Sequence, residues 1–260
     1  AGDDGDTAKK IIEKLLHRLR PWLAAIEYGY RNLYEDYTLS KKLTEIEGSA
    51  RDLLPAIGNK TKTFPCKGQL FTDPIQFVSV EFERRKQRGL ETFTAITHGD
   101  LNARNFIVDD NKNIWLIDFS HVSRAHILKD FCKLEAEIKF CLTELKDEAD
   151  VDMALDFERE LLFQKTDNGG YAAFDTLNEL CKARPSPNDL RFVRAWKCVQ
   201  YIRNRAAVFM GRLAEQGDSA SQYYLGLLHY TLRALCFEQL SKQSRTYALL
   251  SAALLCEALK

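Results

Sequence analysis

One short stretch near the middle of this chain interrupts an otherwise helical pattern, and it limits the folds available. Phe106-Ile107-Val108 and Ile114-Trp115-Leu116-Ile117 are apolar runs, rich in β-branched and aromatic residues and too short for helices. Asp109-Asp110-Asn111-Lys112-Asn113 lies between them, a polar segment of the kind whose Asp and Asn side chains satisfy turn backbone. Two strand-like runs joined by such a turn predict a β-hairpin. Phe93 to Thr97, just upstream, is another short β-branched or aromatic run.

Both flanks read as helices. Ile11, Ile12, Leu15, Leu16 and Leu19 make one apolar face, and Pro21 is expected to bend or end that helix. Helical character continues from Trp22 to Leu43, residues 58–74 read as a Gly- and Pro-rich loop, and Ile75 to Arg88 returns to helix. Downstream, Phe131, Leu134, Ile138, Leu142 and Leu145 share a face. Val151 to Gln164 is a further helix, stopped by Asp167-Asn168-Gly169-Gly170. Ser186-Pro187-Asn188-Asp189 has the composition of a helix start, with Leu190, Val193, Trp196, Val199 and Ile202 following on one side. Two last helices run from about Ser219 to Phe237 and from about Ser241 to Leu259. The expected fold class is therefore α+β, predominantly helical. Residues 1–90 form a helical lead-in, 91–120 a loop and hairpin, and 121–260 a helical subdomain.

Composition excludes several function classes. Hydrophobic residues are 45% and charged residues 28% of 260, the balance of a globular protein rather than a disordered one. Lys+Arg and Asp+Glu are each 37, so there is no excess cationic charge to coat a nucleic acid. The apolar stretch Ala248–Cys256 is interrupted by Ser251 and falls short of the roughly 20 residues that span a bilayer. Ala1-Gly2-Asp3-Asp4-Gly5-Asp6 is acidic and lacks the apolar core of a signal peptide. The absence of an initiator Met reads as a processed chain or a fragment. Seven cysteines without a C-x-x-C pair read as reduced, buried thiols of a cytoplasmic protein.

The informative stretch is His98-Gly99-Asp100-Leu101-Asn102-Ala103-Arg104-Asn105, followed past the hairpin by Ile117-Asp118-Phe119. This layout resembles the catalytic segment of the protein-kinase-like fold, H-x-D-L-x-x-x-N and then D-F. The Gly after His makes it most similar to the aminoglycoside phosphotransferase and choline kinase branch, which phosphorylates small molecules. The resemblance extends to Asp130-Phe131-Cys132-Lys133-Leu134-Glu135, where that branch has a helix with an acidic start.

The resemblance implies the C-terminal lobe of a kinase-like protein, an ATP- and Mg²⁺-dependent phosphotransferase acting on the hydroxyl of a small molecule. Such chemistry needs alignment of the attacking hydroxyl and neutralisation of phosphate charge more than covalent help. Asp100 is then the catalytic base, and His98 braces the catalytic loop. Asn105 and Asp118 become the nucleotide and metal ligands, one neutral and one charged oxygen of the hard type that suits Mg²⁺.

Two positions depart from the protein-kinase pattern: Ser120 replaces a Gly and Asn102 a Lys. Residues 1–90 carry no G-x-G-x-x-G loop, no V-A-I-K-like strand and no run of five strands. The resemblance therefore covers one lobe, and a β-lobe or other domains of a longer parent chain are implied partners. The rival reading is a catalytically inactive kinase-like module, binding or regulatory, within a larger signalling protein. Elsewhere, His121 and His126 read as surface histidines rather than a metal pair. Arg191, Arg194, Lys197, Arg203, Arg205 and Arg212 read as a solvated basic face. Trp22, Tyr30, Tyr34 and Tyr37 read as core.

Overall fold

The computed structural model describes residues 5–39, 42–58, 61–185 and 189–260. Helix α1 (Asp6–Leu23) buries Ile12, Leu15, Leu16, Leu19 and Leu23 along one stripe. Pro21 sits in its last turn and removes a single donor there, so the helix continues to Leu23 rather than stopping at the proline. The chain then turns into strand β1 (Glu27–Arg31), where the pattern predicted continuing helix. Its backbone groups are satisfied by a distant partner, Leu90–Thr94, through an antiparallel ladder.

Asn32 caps the short α2 (Leu33–Asp36), and α3 (Leu43–Leu53) follows. The expected loop at 58–74 contains a second pair of strands, β2 (Thr63–Cys66) and β3 (Gln69–Thr72). Lys67 and Gly68 join them, both at positive φ (48° and 73°), the backbone that a tight two-residue hairpin turn requires. The Asp73 carboxylate then caps α4 (Pro74–Phe77), which runs through a wide turn at Val78–Phe82 into α5 (Glu83–Arg85). The helix read from Ile75 to Arg88 is thus present, but residues 1–90 are not a purely helical lead-in.

β4 (Leu90–Thr97) is the spine of the centre. The expected hairpin follows as β5 (Phe106–Val108) and β6 (Ile114–Leu116), paired Phe106 to Leu116 and Val108 to Ile114. Its turn works as the composition suggested: the Asp109 carboxylate accepts the Asn113 backbone N–H at 2.8 Å and the Asn113 side chain at 2.9 Å. β7 (Ser123–His126) returns along β4, giving a three-stranded antiparallel sheet in the order β1-β4-β7.

The second half is helical, with one small hairpin. α6 (Lys129–Ala136) extends through Glu137–Leu142, and α7 (Glu148–Leu162) leads into β8 (Phe163–Lys165) and β9 (Tyr171–Ala173). α8 (Leu177–Leu180) has a reciprocal cap between Thr176 and Glu179. Asp189 caps α9 (Leu190–Met210); Ser186, Pro187 and Asn188 of the expected start lie outside the described residues. α10 (Ser219–Ala234) and α11 (Lys242–Ala258) complete a fold that is mixed α+β and 56% helical.

α6, α7, α10 and α11 enclose the core, and charge is buried within it. Arg203 of α9 forms a two-pronged pair with Glu135 of α6 at 2.9 and 2.7 Å, and Tyr223 donates to the same carboxylate at 2.8 Å. Lys139 pairs with Glu158 of α7 at 2.8 Å, and Tyr247 and Ser251 of α11 donate to that carboxylate. The expectation of a solvated basic face therefore needs correction: Arg203 is fully buried. Arg191 holds Asp150 and Asp189, and its hydrogen bonds pull the Asp150 carboxyl down to about 2. Buried hydrogen-bonded pairs of this kind fix which helix faces meet more than they add stability.

Candidate functional site

β4 delivers the chain to the site in a fixed direction, because β1 and β7 hold it on both edges. At its end, the Asp130 carboxylate in the first turn of α6 accepts the His98 N–H at 2.6 Å and the Gly99 N–H at 2.9 Å. Asp130 is almost wholly buried; burial pushes its carboxyl up, against the two backbone bonds that pull it down. Gly99 has φ 82°, and a Cβ there would lie 2.3 Å from the His121 carbonyl oxygen. The loop can pass at this height only with glycine.

His98 is buried, and its Nε2 donates to the Ile117 carbonyl at 3.0 Å, across to the far end of the hairpin. Trp22 stacks against its ring at 6.5 Å and Phe119 lies at 5.8 Å. These contacts make His98 a brace between β4 and the segment carrying Asp118. Leu101 plugs the loop into the core.

Two side-chain amides converge on Asp100. Asn105 Nδ2 donates to the Asp100 carbonyl at 2.7 Å and to its Oδ2 at 3.3 Å, and Asn102 Nδ2 reaches the same two oxygens at 3.1 and 3.2 Å. The Asn105 carbonyl accepts the Ile117 N–H at 3.0 Å, which sets Asp118, the next residue, beside the loop. Asp118 adopts a left-handed backbone (φ 57°, ψ 73°) and is exposed. Hydrogen bonds from the Ser120 side chain at 2.6 Å and its backbone at 3.4 Å hold the Asp118 carboxyl below its ordinary value, so it is ionised at neutral pH.

The structure thus puts Asp100 and Asn105 in direct contact and ties the Ile117 backbone, one residue before Asp118, to Asn105, while the Asp118 carboxylate bonds Ser120. Among the described residues no group of three or more His, Cys, Asp or Glu side chains is arranged to hold a metal. The donors present suit a different use. Asn105 Nδ2 is committed to Asp100, which leaves its Oδ1 as the amide oxygen, and Asp118 supplies an exposed charge. One amide and one carboxylate oxygen fit Mg²⁺ bound jointly with phosphate and water. They do not fit a closed all-protein cage or a thiol-rich site.

One site residue was not legible beforehand. Lys133 of α6 is only 9% exposed, and its Nζ stands 3.4 Å from Asp100 Oδ1, with the rings of Tyr230 and Phe237 each 5.5 Å away. Its signal was a lysine inside the apolar helix Phe131–Leu142, with no indication of where it pointed. His126, expected on the surface, is buried and hydrogen-bonded to the Tyr37 hydroxyl at 2.7 Å; His121 is exposed as expected. Of the aromatic set, Tyr34 and Tyr37 are core, Tyr30 is 77% exposed, and Trp22 is half-buried on His98.

All seven cysteines are free thiols. No described helix is long and apolar enough to cross a membrane. No curated protein shows significant similarity to the chain. A family profile does match, over residues 37–236 and therefore over well more than half of the length, and the chain belongs to the Ternary complex associated domain 9 family.

Proposed function

We propose that the segment from His98 to Lys133 is a phosphoryl-transfer site of the aminoglycoside phosphotransferase and choline kinase type. It would move the γ-phosphoryl group of ATP to a hydroxyl of a small molecule, in the cytoplasm. The observation that carries this reading is the pair of hydrogen bonds that the His98 and Gly99 N–H groups donate to the Asp130 carboxylate. A buried carboxylate spent on two loop N–H groups fixes the loop, and Asp100 is thereby presented at its rim with a side chain 34% exposed. Preorganisation of that kind is what transfer chemistry asks of a protein.

In this reading Asp100 accepts the proton of the acceptor hydroxyl as its oxygen bonds phosphorus and ADP departs. Asn105 Oδ1 and Asp118 would hold Mg²⁺, which would supply neutralising charge to the phosphate oxygens. Asn102 and Asn105 keep the Asp100 carboxylate aimed, and Lys133 supplies a positive charge beside that carboxylate, where the protein-kinase pattern has a lysine at the position of Asn102. His98 positions; it exchanges no proton with substrate.

A second reading is supported by the first ninety residues, which place α1–α5 and β1–β3 ahead of the loop rather than a phosphate-covering strand pair. The family description names a ternary complex. On that reading the loop is a binding or regulatory module within an assembly, and its phosphate site serves recognition without turnover.

Calorimetry with Mg-ATP tests the shared premise. Weak binding, with Kd above about 1 μM, is expected of one lobe without a roof over the base. That binding should require Mg²⁺ and be lost in Asp118→Ala. Binding that is unchanged in Asp118→Ala, with or without Mg²⁺, would remove the phosphate site from both readings.

A further inference from the structure

A second cavity lies at the opposite end of the β5–β6 hairpin from Asp118, between α1, α9 and the hairpin turn. Its volume is about 620 Å³. Lys14, Arg18 and Arg20 of α1, Lys112 of the turn and Arg205 of α9 line it, against the single carboxylate of Glu13, which pairs with Lys9 at 3.7 Å.

Three observations mark this cluster. The chain has no net charge, and most other cations of α9 are neutralised: Arg191 by Asp150 and Asp189, Lys197 by Asp6, Arg203 by Glu135. Among the described residues, Arg18, Arg20, Lys112 and Arg205 have no carboxylate partner. Lys14 and Arg18 are also one helical turn apart on the same face, an arrangement of like charges that weakens a helix unless something negative lies between them. Finally, the wall is built: Lys14 Nζ donates to the Lys112 carbonyl at 2.8 Å, pinning the turn to α1, and Lys112 holds φ 59°, which is costly for a side chain with a Cβ.

We propose that this cavity is a binding site for a polyphosphate group, inorganic or carried by a nucleoside. A concave site ringed by one sign of charge concentrates its counter-ion, and five cations match a multiply charged ligand better than a single carboxylate. The volume falls in the range of small-ligand pockets, roughly 300–1,000 Å³. The five cations surround one concave site rather than lining an extended groove, which suits a compact polyanion better than a nucleic-acid strand. Half-buried Tyr201 stands in the same wall, where a base attached to the phosphates would meet it.

The site is independent of the transfer reading, and one experiment separates them. The whole chain is titrated calorimetrically, without divalent metal and at low salt, with sodium tripolyphosphate, ATP and a single-stranded oligonucleotide. Tripolyphosphate is expected to bind, the double variant Arg18→Glu/Arg205→Glu to weaken it about tenfold or more, and Asp118→Ala to leave it unchanged. Both changed residues lie at the surface or its edge, and an unaltered circular dichroism spectrum shows that the double variant is folded. ATP binding at least as tight as tripolyphosphate identifies a nucleotide as the source; weaker ATP binding identifies the bare polyphosphate. Absence of binding overturns the proposal, as does equal affinity in the double variant. Loss in Asp118→Ala alone puts the anion at the transfer site instead, and overturns this site while leaving that reading standing. An oligonucleotide that binds tenfold tighter than either would make the surface a nucleic-acid one and overturn the proposal as well.

Discussion

Lys133 Nζ stands 3.4 Å from Asp100 Oδ1, carried there by α6 from outside the loop that holds the aspartate. The pair is poised at a boundary. The lysine side chain is 9% exposed between Tyr230 and Phe237, while the aspartate is 34% exposed and open to a ligand. A cation so enclosed has few conformations to lose when phosphate arrives.

Replacing that cation should therefore affect turnover more than folding. Lys133→Met is expected to lower ATP turnover about tenfold or more, with urea stability within about 1 kcal/mol of wild type, as for a partly exposed pair. Lys133→Arg should recover part of the loss. Steady-state kinetics beside urea unfolding make the check; equal turnover in all three proteins would reduce Lys133 to a packing residue.

Gly99 supplies a second test, of the loop itself. Gly99→Ala places a methyl 2.3 Å from the His121 carbonyl at a φ of 82°. The expected cost is about 1–3 kcal/mol of stability, together with loss of Mg-ATP binding as the loop shifts off Asp130. A variant with wild-type stability would show that the loop is not clamped between Asp130 and His121.

Acid sensitivity follows from two buried histidines. Burial lowers His126 to about 3 and His229 to about 4, so both are neutral in the folded chain. The unfolded chain takes up their protons below the ordinary value of 6.5, and the folded chain does not until far lower. Stability should therefore fall as pH drops below 6.5, by about 1.4 kcal/mol per pH unit for each histidine. Urea midpoints at pH 7.5, 6 and 5 measure the slope. His126→Gln should make it shallower, and an unchanged slope would mean that His126 is solvated.

Much of this arrangement was legible in the residues, and the remainder was hidden for identifiable reasons. The β5–β6 hairpin was legible because apolar runs and an Asp-rich turn are adjacent in sequence. β1 was not: all five residues are exposed or half-buried, so no period-two burial marks it, and its partner lies some sixty residues on. The Lys67-Gly68 turn was masked by prolines and glycines that read as loop. His126 was misplaced because β7 turns it inward only through its pairing with Thr94. The loop motif located Asp100 and Asn105 together, since one short segment holds both. No local pattern announced Lys133, whose contact with Asp100 depends on how α6 docks.

The buried network offers a stability test apart from the site. Burial pushes the Glu135 carboxyl up, but Arg203 and Lys139 more than offset this and hold it below its ordinary value. Arg203→Met strands that charge and should cost about 3–5 kcal/mol, read as a lowered urea midpoint. A change below about 1 kcal/mol would indicate that Lys139 alone satisfies Glu135.

The most direct measurement is ATP consumption in the presence of Mg²⁺ and a panel of hydroxyl-bearing metabolites, comparing wild type with Asp100→Asn. The substitution keeps the shape of the loop and removes the proton acceptor. Acceptor-dependent ADP release by wild type, falling about 10²–10⁴-fold in Asp100→Asn with nucleotide affinity preserved, is the predicted result. Release that proceeds equally in both proteins would contradict the role of Asp100, and an absence of release with every acceptor would contradict phosphoryl transfer itself.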